Sequence, residues 1–505
     1  MAKSWGDRER AAAVDEPVTR PGPPPVRHAG VARVAGLVGA VLLTVAGWLG
    51  GALPGTAADQ GAGWEAVAAW AIGTTVMVGA WWALRAGAPS TGWAYRTAGL
   101  WLLPLLAAPP LGSRDVYSYA CQGWAYAAGH DPYAVGVAAA GCPWLDSVAP
   151  LWRDTPAPYG PVFLLISALA ATLGGGLVGT LVLLRLFAVG GVLLAALCLP
   201  GLARAAGVPT RRAAWLALAT PLVGVHLVAG AHNDALLVGL LLLGLLVLVR
   251  HPGKPRPLLV AGVVLGLAVA VKATALVVLP FAALAAVLGR YTVRALLRDA
   301  GWLAAGVLAT LGVTSLVSGL GLGWVPALTR TGDSEQWTSP PTAVGFVIDY
   351  GLESVGRTAG AVPVTRFVAL LLLAAVVAGL WWWAWRSLRR LGGVRQRVHR
   401  LTAARIRVSL LGAGLALAAT VALAPVFYPW YATWPLAVLA VVATRTTWFV
   451  LPGALACFLT LPDGTSLARF AKAPGAIVMT ASVLVVAFWA ARQVHRIRRS
   501  RRPAS

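Results

Sequence analysis

The chain has 505 residues, of which 58% are hydrophobic and only 11% are charged, and its mean hydropathy is +0.75. Soluble domains carry about 25% charged residues, so this composition excludes a soluble globular protein. The net charge is +24, from 41 Lys and Arg against 17 Asp and Glu. The basic residues cluster in short segments between apolar runs, which is typical of membrane topology signals. They give no reason to expect nucleic acid as a partner.

Residues 1–31 combine charges with a Pro-rich run and have no apolar periodicity, so they are predicted to form a disordered cytoplasmic tail. Repeated near-uncharged apolar runs follow, and runs of roughly 20 such residues predict transmembrane helices. They lie near residues 33–53, 64–85, 95–112, 177–200, 212–231, 235–250, 257–271, 273–289, 299–321, 365–387, 408–426, 431–443, 446–460 and 474–492.

These runs predict an all-α polytopic membrane protein with about 13 to 15 transmembrane helices. Residues 32–492 are expected to form a single transmembrane domain, followed by a basic cytoplasmic tail at 493–505. Two segments between runs, about 113–176 and 322–364, are too long to be turns. They are predicted to be outer loops that carry the function.

The apolar run at 159–173 is shorter than a usual membrane span. Whether this run crosses the membrane decides on which side of it each later segment lies. Lys and Arg near span ends favour the cytoplasm. If the run is re-entrant or interfacial, the basic segments near 204–212, 290–298 and 386–407 all lie inside. We therefore expect both termini in the cytoplasm and a site that faces outward from the plasma membrane.

The first outer loop opens with polar residues on one helical face, because Asp115, Tyr119, Gln122 and Tyr126 lie at i, i+4, i+7 and i+11. A carboxylate in the first helical turn also interacts favourably with the helix dipole, which is the structural alternative for Asp115. Its position just beyond a membrane span favours a catalytic role. Tyr119 and Gln122 are candidates for sugar or acceptor binding.

Asp131 and the two cysteines of this loop also have structural interpretations. Asp131 follows Gly129 and precedes Pro132, which favours a capping role, although it is kept as a candidate acceptor-binding residue. Cys121 and Cys142 lie in the same outer segment, where an oxidising environment permits a disulfide. The sequence leaves that pairing open.

The turn between the runs 212–231 and 235–250 contains His232 and Asp234. Capping of the next helix and binding of a sugar or phosphate are equally good interpretations of these residues. One His and one Asp are too few ligands for a metal site, so no metal is expected.

Two cations lie within apolar runs, Lys272 in VKATALVVLPF and Arg185 in LVLLRLFAV. A charge at the centre of a membrane helix costs about 2.5 to 3.5 kcal/mol, so such residues usually pair or bind a ligand. Extension of the side chain to the lipid headgroups is the alternative. We favour binding of a lipid phosphate, the phosphate of a lipid-linked donor, by both residues.

The second outer loop brings Asp333, Glu335 and Trp337 within five positions, as expected for acceptor binding by carboxylates and an indole. A solvated loop with an interfacial Trp is the alternative. The later aromatic run that begins at Tyr428 favours an interfacial aromatic belt over a sugar-stacking edge.

Together, an outward carboxylate, two cations and aromatic loops suggest glycosyl transfer from a lipid-phosphate sugar. A polyprenyl phosphate is a good leaving group, so it needs electrostatic stabilisation by Lys272 and Arg185 but no general acid. Asp115 is the single base for the acceptor hydroxyl, and one displacement inverts the anomeric configuration. No cofactor besides the lipid-linked sugar donor is expected.

Five motifs carry a resemblance to a known family: RDVYSYACQGWAYAAGHDPYAVG, APYGPVFLLISAL, AHNDALLVGLLLLGL, VKATALVVLPF and YPWYATWPL. They resemble the actinobacterial polyprenol-phosphomannose-dependent alpha-1,6-mannosyltransferases of the GT-C class, from about residue 33 to 492. The resemblance implies a GT-C-type fold and a polyprenyl phosphomannose donor. It also implies an α-1,6-mannan or lipomannan-type acceptor, extended at its 6-hydroxyl, and a base aspartate at Asp115.

Two alternatives remain open at this point. Another GT-C transferase would use a different polyprenyl-phosphate sugar, with arabinose or glucose in place of mannose. A transporter or flippase for a lipid-linked sugar would use the same cations to hold phosphate. The concentration of acidic residues on one face, and the lack of paired halves with matching broken helices, argue against the transporter.

Overall fold

A computed structural model of the chain describes residues 28–358, 360–391 and 398–500. The predicted tail at 1–31 lies outside the described residues as far as residue 27, and residues 501–505 of the predicted C-terminal tail also lie outside them. The described residues form an all-helical protein, which confirms the predicted all-α class.

The described residues contain eighteen α-helices, numbered α1 to α18 in chain order. The first nine are Ala29–Gly50, Trp64–Ala83, Thr91–Leu106, Asp115–Ala127, Pro161–Leu173, Leu177–Ala205, Thr210–Leu218, Asp234–Arg250 and Pro255–Val271. The other nine are Leu279–Ala286, Val293–Ser318, Trp324–Ala327, Pro340–Ser354, Ala361–Leu391, Val398–Leu423, Thr433–Ala440, Thr447–Ala456 and Lys472–Ser500.

Seven helices of the described chain are long and apolar enough to cross a membrane, by length and composition. They are α1, α2, α6, α11, α14, the Thr402–Leu423 part of α15 and the Lys472–Gln493 part of α18. An eighth span arises if α7 and the π-helix Val223–Ala229 count as one segment, bent by 62°. The protein is therefore a polytopic helical membrane protein.

This number of full-length spans is smaller than the predicted 13 to 15, because several apolar runs are not continuous helices. The run at 273–289 begins as a 3-10 helix, Ala273–Val278, before the eight-residue α10. The runs at 431–443 and 446–460 contain α16 and α17, of eight and ten residues. Apolar composition predicts burial in lipid or protein, but it does not specify where helical hydrogen bonding is interrupted.

Small residues set the close packing of the helices around the site. A Cβ atom on Gly123 of α4 would lie 2.2 Å from the backbone of Ser167 in α5, so only glycine allows these helices to approach so closely. Gly191 of α6 similarly lies against Ala235 at the start of α8, where a Cβ would approach the backbone to 2.4 Å. Such small-residue contacts replace the hydrophobic driving force that is weak between helices in lipid.

Both predicted outer loops are folded rather than extended. The loop at 113–176 contains α4, two short 3-10 helices and α5, and the loop at 322–364 contains α12 and α13. A disulfide between Cys121 and Cys142, a pairing that the sequence left open, joins α4 to the turn that follows it. The disulfide thereby closes the part of the first loop between residues 121 and 142.

Candidate functional site

The site forms where helix ends meet, and its first element is the N-terminus of α4. Asp115 is the first residue of that helix and is 9% exposed. Its backbone N–H donates to Ser113 Oγ at 3.0 Å, and the Trp152 indole donates to its carboxylate Oδ1 at 3.2 Å. These two contacts and the helix dipole hold the carboxylate in a defined orientation.

Burial raises the pKa of Asp115 to about 6, against the opposing effect of the Lys272 charge, while the nearby Asp234 carboxylate raises it further. The Asp115 carboxyl lies outside the candidate membrane spans. A carboxylate with such a pKa is largely ionised at neutral pH and is a stronger base than an exposed aspartate. These properties suit a general base that works near neutral pH.

The second element is the turn that precedes α8. The π-helix Val223–Ala229 ends there, and Ala231 has a φ of +51°, an uncommon backbone conformation for a residue with a Cβ. This strained turn reverses the chain so that α8 begins at Asp234, whose side chain is fully buried. Strain and π-helices of this kind concentrate at functional sites.

Lys272 completes an ion pair with Asp234. Its ammonium donates to Asp234 Oδ1 at 2.8 Å and Oδ2 at 3.1 Å. The backbone of Lys272 is extended, with φ −153° and ψ 127°, because α9 ends at Val271 and the next residues form a 3-10 helix. The helix is therefore broken where the cation lies, which turns the ammonium toward the site.

His232 lies between the two carboxylates. Its Nδ1 is 3.9 Å from Asp115 Oδ2 and 3.8 Å from Asp234 Oδ2. The Tyr119 hydroxyl lies 3.3 Å from the same nitrogen. Burial lowers the pKa of His232 well below its usual value, and the Lys272 charge acts in the same direction. A neutral imidazole therefore lies between the Asp115 carboxylate and the ion pair.

An aromatic cluster, defined as Tyr428, Trp430, Tyr431 and Trp434, forms one wall of the site. The Tyr428 and Trp430 rings are stacked with centroids 4.8 Å apart. The Lys272 ammonium lies 4.9 Å from the Tyr431 ring and 5.1 Å from the Trp434 ring. The Trp434 indole also donates to Asp234. Tyr431 and Trp434 thus lie beside the cation, and all four aromatics line a cavity with it, a contact that the predicted aromatic belt did not include.

Two cavities meet at Asp115. The larger cavity has a volume of about 440 Å³ and many polar side chains in its wall, and the smaller cavity has a volume of about 150 Å³. Both are lined by four of the same residues, namely Asp115, Trp152, Tyr428 and Trp430. Lys272 lines only the smaller cavity. The Asp115 carboxylate thus lies between a smaller chamber lined by Lys272 and a larger chamber lined by many polar and charged side chains.

The structure brings together five of the residues singled out from the sequence: Asp115, Tyr119, His232, Asp234 and Lys272. Arg185 lies elsewhere. Its guanidinium donates to the carbonyls of Leu106, Ala108 and Ala229 at 2.7–3.0 Å, and it lines neither cavity. The structure places Arg185 as a link between backbone segments.

The remaining candidates fall into different surroundings. Gln122 is buried in α4 with its carbonyl oxygen unpartnered, and it lines neither cavity. Asp131 accepts the backbone N–H of Tyr133 at 2.8 Å, as the capping interpretation expects. Asp333 and Glu335 line the larger cavity, where Asp333 also pairs with Arg330 at 2.8 Å.

Trp337 lies away from both cavities, because its indole donates to the Ala468 carbonyl at 3.0 Å and packs against Gly475 of α18. In contrast, Trp152, Gln336 and Asp463 line the larger cavity although sequence analysis did not select them. No local pattern marks these residues. Their place depends on contacts between segments that are far apart in the chain.

Comparison with known proteins covers most of the chain. Residues 33–288 match the family described as "Alpha-(1->6)-mannopyranosyltransferase, N-terminal domain", and residues 341–492 match the family described as "MptB C-terminal domain". The first match alone covers half of the 505 residues. The two matched regions contribute together to the site, since Asp115 and Lys272 lie in the first and the aromatic cluster in the second.

Individual relatives agree with this match. Alpha-(1->6)-mannopyranosyltransferase A of Mycobacterium tuberculosis is 35% identical over 361 residues, which cover 69% of this chain and 64% of that protein. A probable alpha-(1->6)-mannopyranosyltransferase of Mycolicibacterium smegmatis is 36% identical over 387 residues, covering 69% and 65%. The chain thus spans less than two thirds of the length of these relatives. No solved structure matches the chain.

Proposed function

The chain belongs to the alpha-(1->6)-mannopyranosyltransferase family, and from this membership and the site we propose that it is an inverting glycosyltransferase. In this proposal, mannose moves from a polyprenyl phosphomannose donor to the 6-hydroxyl of an α-1,6-mannan or lipomannan-type acceptor. The observation that carries the proposal is the position of Asp115 between two cavities, the smaller of which is lined by Lys272.

The reaction that this geometry supports is a single displacement. The acceptor hydroxyl oxygen attacks the anomeric carbon of mannose while the bond from that carbon to the phosphate oxygen breaks. Asp115 takes the hydroxyl proton as the new glycosidic bond forms, and polyprenyl phosphate leaves with the electron pair. Because attack occurs opposite the leaving group, a β-linked donor gives an α-linked product.

Lys272 supports the placement of the donor phosphate in the smaller cavity. Lys272 lines that cavity with 12% of its side chain exposed, and its ammonium lies 4.9 Å from the Tyr431 ring and 5.1 Å from the Trp434 ring. A cation in such surroundings stabilises the negative charge that develops on a leaving phosphate far better than in water. Asp234 holds this ammonium in place, and the resulting pair is neutral before the donor binds.

An apolar groove supports a lipid-linked donor. It has a volume of about 530 Å³ and is lined by Pro280 of α10 and by α14 residues from Leu370 to Trp381. Pro280 lies in the segment that continues from Lys272 through the 3-10 helix into α10. A polyprenyl chain in this groove would bring its phosphate toward Lys272. A water-soluble nucleotide sugar has no lipid chain to occupy such a groove.

The disulfide supports a site on the outer face of the plasma membrane. Disulfides persist in oxidising compartments and are rare in the cytosol, and Cys121 of the Cys121–Cys142 pair lies in α4, the helix that begins at Asp115. The loop charges favour the same orientation, with both termini in the cytoplasm. The acceptor would then be a mannan or lipoglycan of the cell envelope.

The test is transfer of labelled mannose from polyprenyl phosphomannose to a short α-1,6-mannoside by the full chain in detergent. We expect the wild type to form product and Asp115→Asn to lose at least about 100-fold in rate, as expected on removal of a general base. Asp146→Asn serves as the matched control, because Asp146 is an exposed acid of the same loop that lines neither cavity.

Each outcome separates the candidate reactions. Product from wild type and Asp115→Asn alike would remove Asp115 from the mechanism. Product only from polyprenyl phosphoarabinose or polyprenyl phosphoglucose would change the donor sugar. A protein that carries labelled lipid-linked sugar across vesicle membranes, and forms no glycosidic bond with any of these donors, would overturn the transferase in favour of a transporter.

A further inference from the structure

The larger cavity is walled by two segments that are far apart in the sequence. One is the segment 334–338, which follows α12. The other is the segment 459–469 between α17 and α18, which we call the hairpin segment. Apart from the residues shared with the smaller cavity, most polar side chains of the larger cavity come from these two segments, and neither segment lines the smaller cavity.

The hairpin segment has a rigid local structure. Thr460 and Ser466 form a β-bridge, and the Leu461 N–H donates to the Thr465 carbonyl at 2.8 Å. The Asp463 carboxylate accepts from the Thr465 backbone N–H at 3.0 Å and from its hydroxyl at 2.7 Å. These bonds lie within the segment, so its backbone and the Asp463 and Thr465 side chains are preorganised.

The hairpin segment is attached directly to the chain that carries the base. The Gly112 N–H donates to the Pro462 carbonyl at 3.1 Å. Gly464, with φ +92°, lies against Ser113, and a Cβ atom at that position would come within 2.9 Å of the Ser113 Cα. Since Ser113 also accepts the Asp115 N–H, the distance between the hairpin segment and the carboxylate base is fixed by backbone contacts.

Gln336 and Ser466 face each other across the cavity wall. The Ser466 hydroxyl donates to Gln336 Oε1 at 3.4 Å, and the Gln336 amide donates to the Ser334 hydroxyl at 3.4 Å. Both bonds are longer than usual hydrogen bonds. Such weak internal contacts are readily exchanged for stronger ones to ligand hydroxyls, since an amide and a hydroxyl each both donate and accept.

We propose that Gln336 and Ser466 bind the terminal sugar of the acceptor and so determine which glycan is extended. The inference rests on the proposed function. Lys272 lines the smaller cavity, which suits the donor phosphate. The larger cavity combines hydroxyl, amide and carboxylate side chains with Arg114 and Arg469, groups that suit the hydroxyls of a glycan. Its volume of about 440 Å³ lies within the usual range of ligand sites, and the Trp152 indole lines it beside Asp115.

The first test is direct binding of a short α-1,6-mannoside to the full chain in detergent, measured by saturation-transfer NMR without donor. We expect binding to the wild type and about tenfold weaker binding to Gln336→Ala, the order of magnitude for loss of one or two hydrogen bonds. Ser466→Ala is expected to weaken binding similarly, and Ser466→Thr, which keeps the hydroxyl, to retain it.

The second test measures kinetics. Gln336→Ala should raise the KM for acceptor about tenfold, while the KM for polyprenyl phosphomannose and the slow hydrolysis of the donor by water stay unchanged. Gln60→Ala is the matched control, because Gln60 is exposed and lines neither cavity. A fold defect would alter donor hydrolysis as well, so this pair of readouts separates binding from folding.

The results distinguish the two proposals. Mannoside binding that is equal in wild type, Gln336→Ala and Ser466→Ala would overturn the assignment of these residues even if mannose transfer occurs. If the wild type binds the mannoside through these residues but transfers no mannose, the acceptor site stands and the proposed donor or reaction fails. If the wild type binds no α-1,6-mannoside, the glycan assignment of the larger cavity is wrong.

Discussion

Lys272 donates two hydrogen bonds to Asp234, at 2.8 and 3.1 Å, although the residues lie 38 positions apart and the Asp234 side chain is fully buried. A buried ion pair is weak evidence for stability, since desolvation offsets much of the attraction. Lys272 lines the smaller cavity, whereas Asp234 does not. The position of Lys272 therefore fits the proposed role of a fixed cation for a phosphate better than a stabilising role.

The ion pair predicts that substitution of Asp234 alone and substitution of both Asp234 and Lys272 will differ in their effect on stability. Asp234→Asn leaves the ammonium without its partner, so we expect a loss of about 3 to 5 kcal/mol in the free energy of unfolding. The double variant Asp234→Asn with Lys272→Gln should recover much of that stability because no uncompensated charge remains. It should not recover mannose transfer, since the cation is gone.

Thermal unfolding in detergent and the transfer assay measure these two quantities side by side. Asp333→Asn is the control for stability, because its pair with Arg330 is exposed and such pairs contribute little. Recovery of transfer in the double variant would show that Lys272 has no part in the reaction.

The raised pKa of Asp115, about 6, predicts an acid limb in the rate profile. The base must be ionised, so kcat/KM should be half-maximal near pH 6 and fall about tenfold per unit below it. Trp152→Phe removes an N–H donor to the carboxylate, which should move the limb to higher pH. A profile that stays flat down to pH 5 would contradict Asp115 as the base.

The same pKa has a consequence for stability. Because the pKa of Asp115 is higher in the folded than in the unfolded chain, its contribution to stability is present at low pH and is lost as pH rises through about 6. Asp115→Asn is uncharged at every pH and should therefore unfold at a higher temperature than the wild type above pH 6. Unfolding temperatures at pH 5 and pH 8 check this difference.

Arg185 is expected to stabilise the fold and not to bind the donor. Its guanidinium joins the end of α3 to the π-helix through three backbone carbonyls. Arg185→Lys keeps the charge but lacks the fork that reaches all three carbonyls, so the unfolding temperature should fall while the donor KM stays within about twofold of wild type. A donor KM that rises tenfold at unchanged stability would instead support phosphate binding.

The sequence by itself determined the class of the protein and the chemistry of its parts. Composition and apolar runs depend on residue type alone, so they predicted a polytopic all-α membrane protein, and the structure and the family matches confirm this and the resemblance. Helical spacing likewise put Asp115 at the start of a short helix, because the period of an α-helix is a local property. Lys272 was noticed for a similar reason, as a cation in an apolar run.

Only the tertiary structure decided which of these parts meet. Trp434 donates to Asp234 across 200 positions, and Ser466 reaches Gln336 across 130. The Asp234 site also includes helix interruptions at Ala231 and Lys272 that periodicity does not reveal. Arg185 and Trp337 have the same residue types as ligand-binding side chains, yet backbone carbonyls engage them elsewhere. Residue type sets what a side chain can bind, and the path of the backbone sets what it reaches.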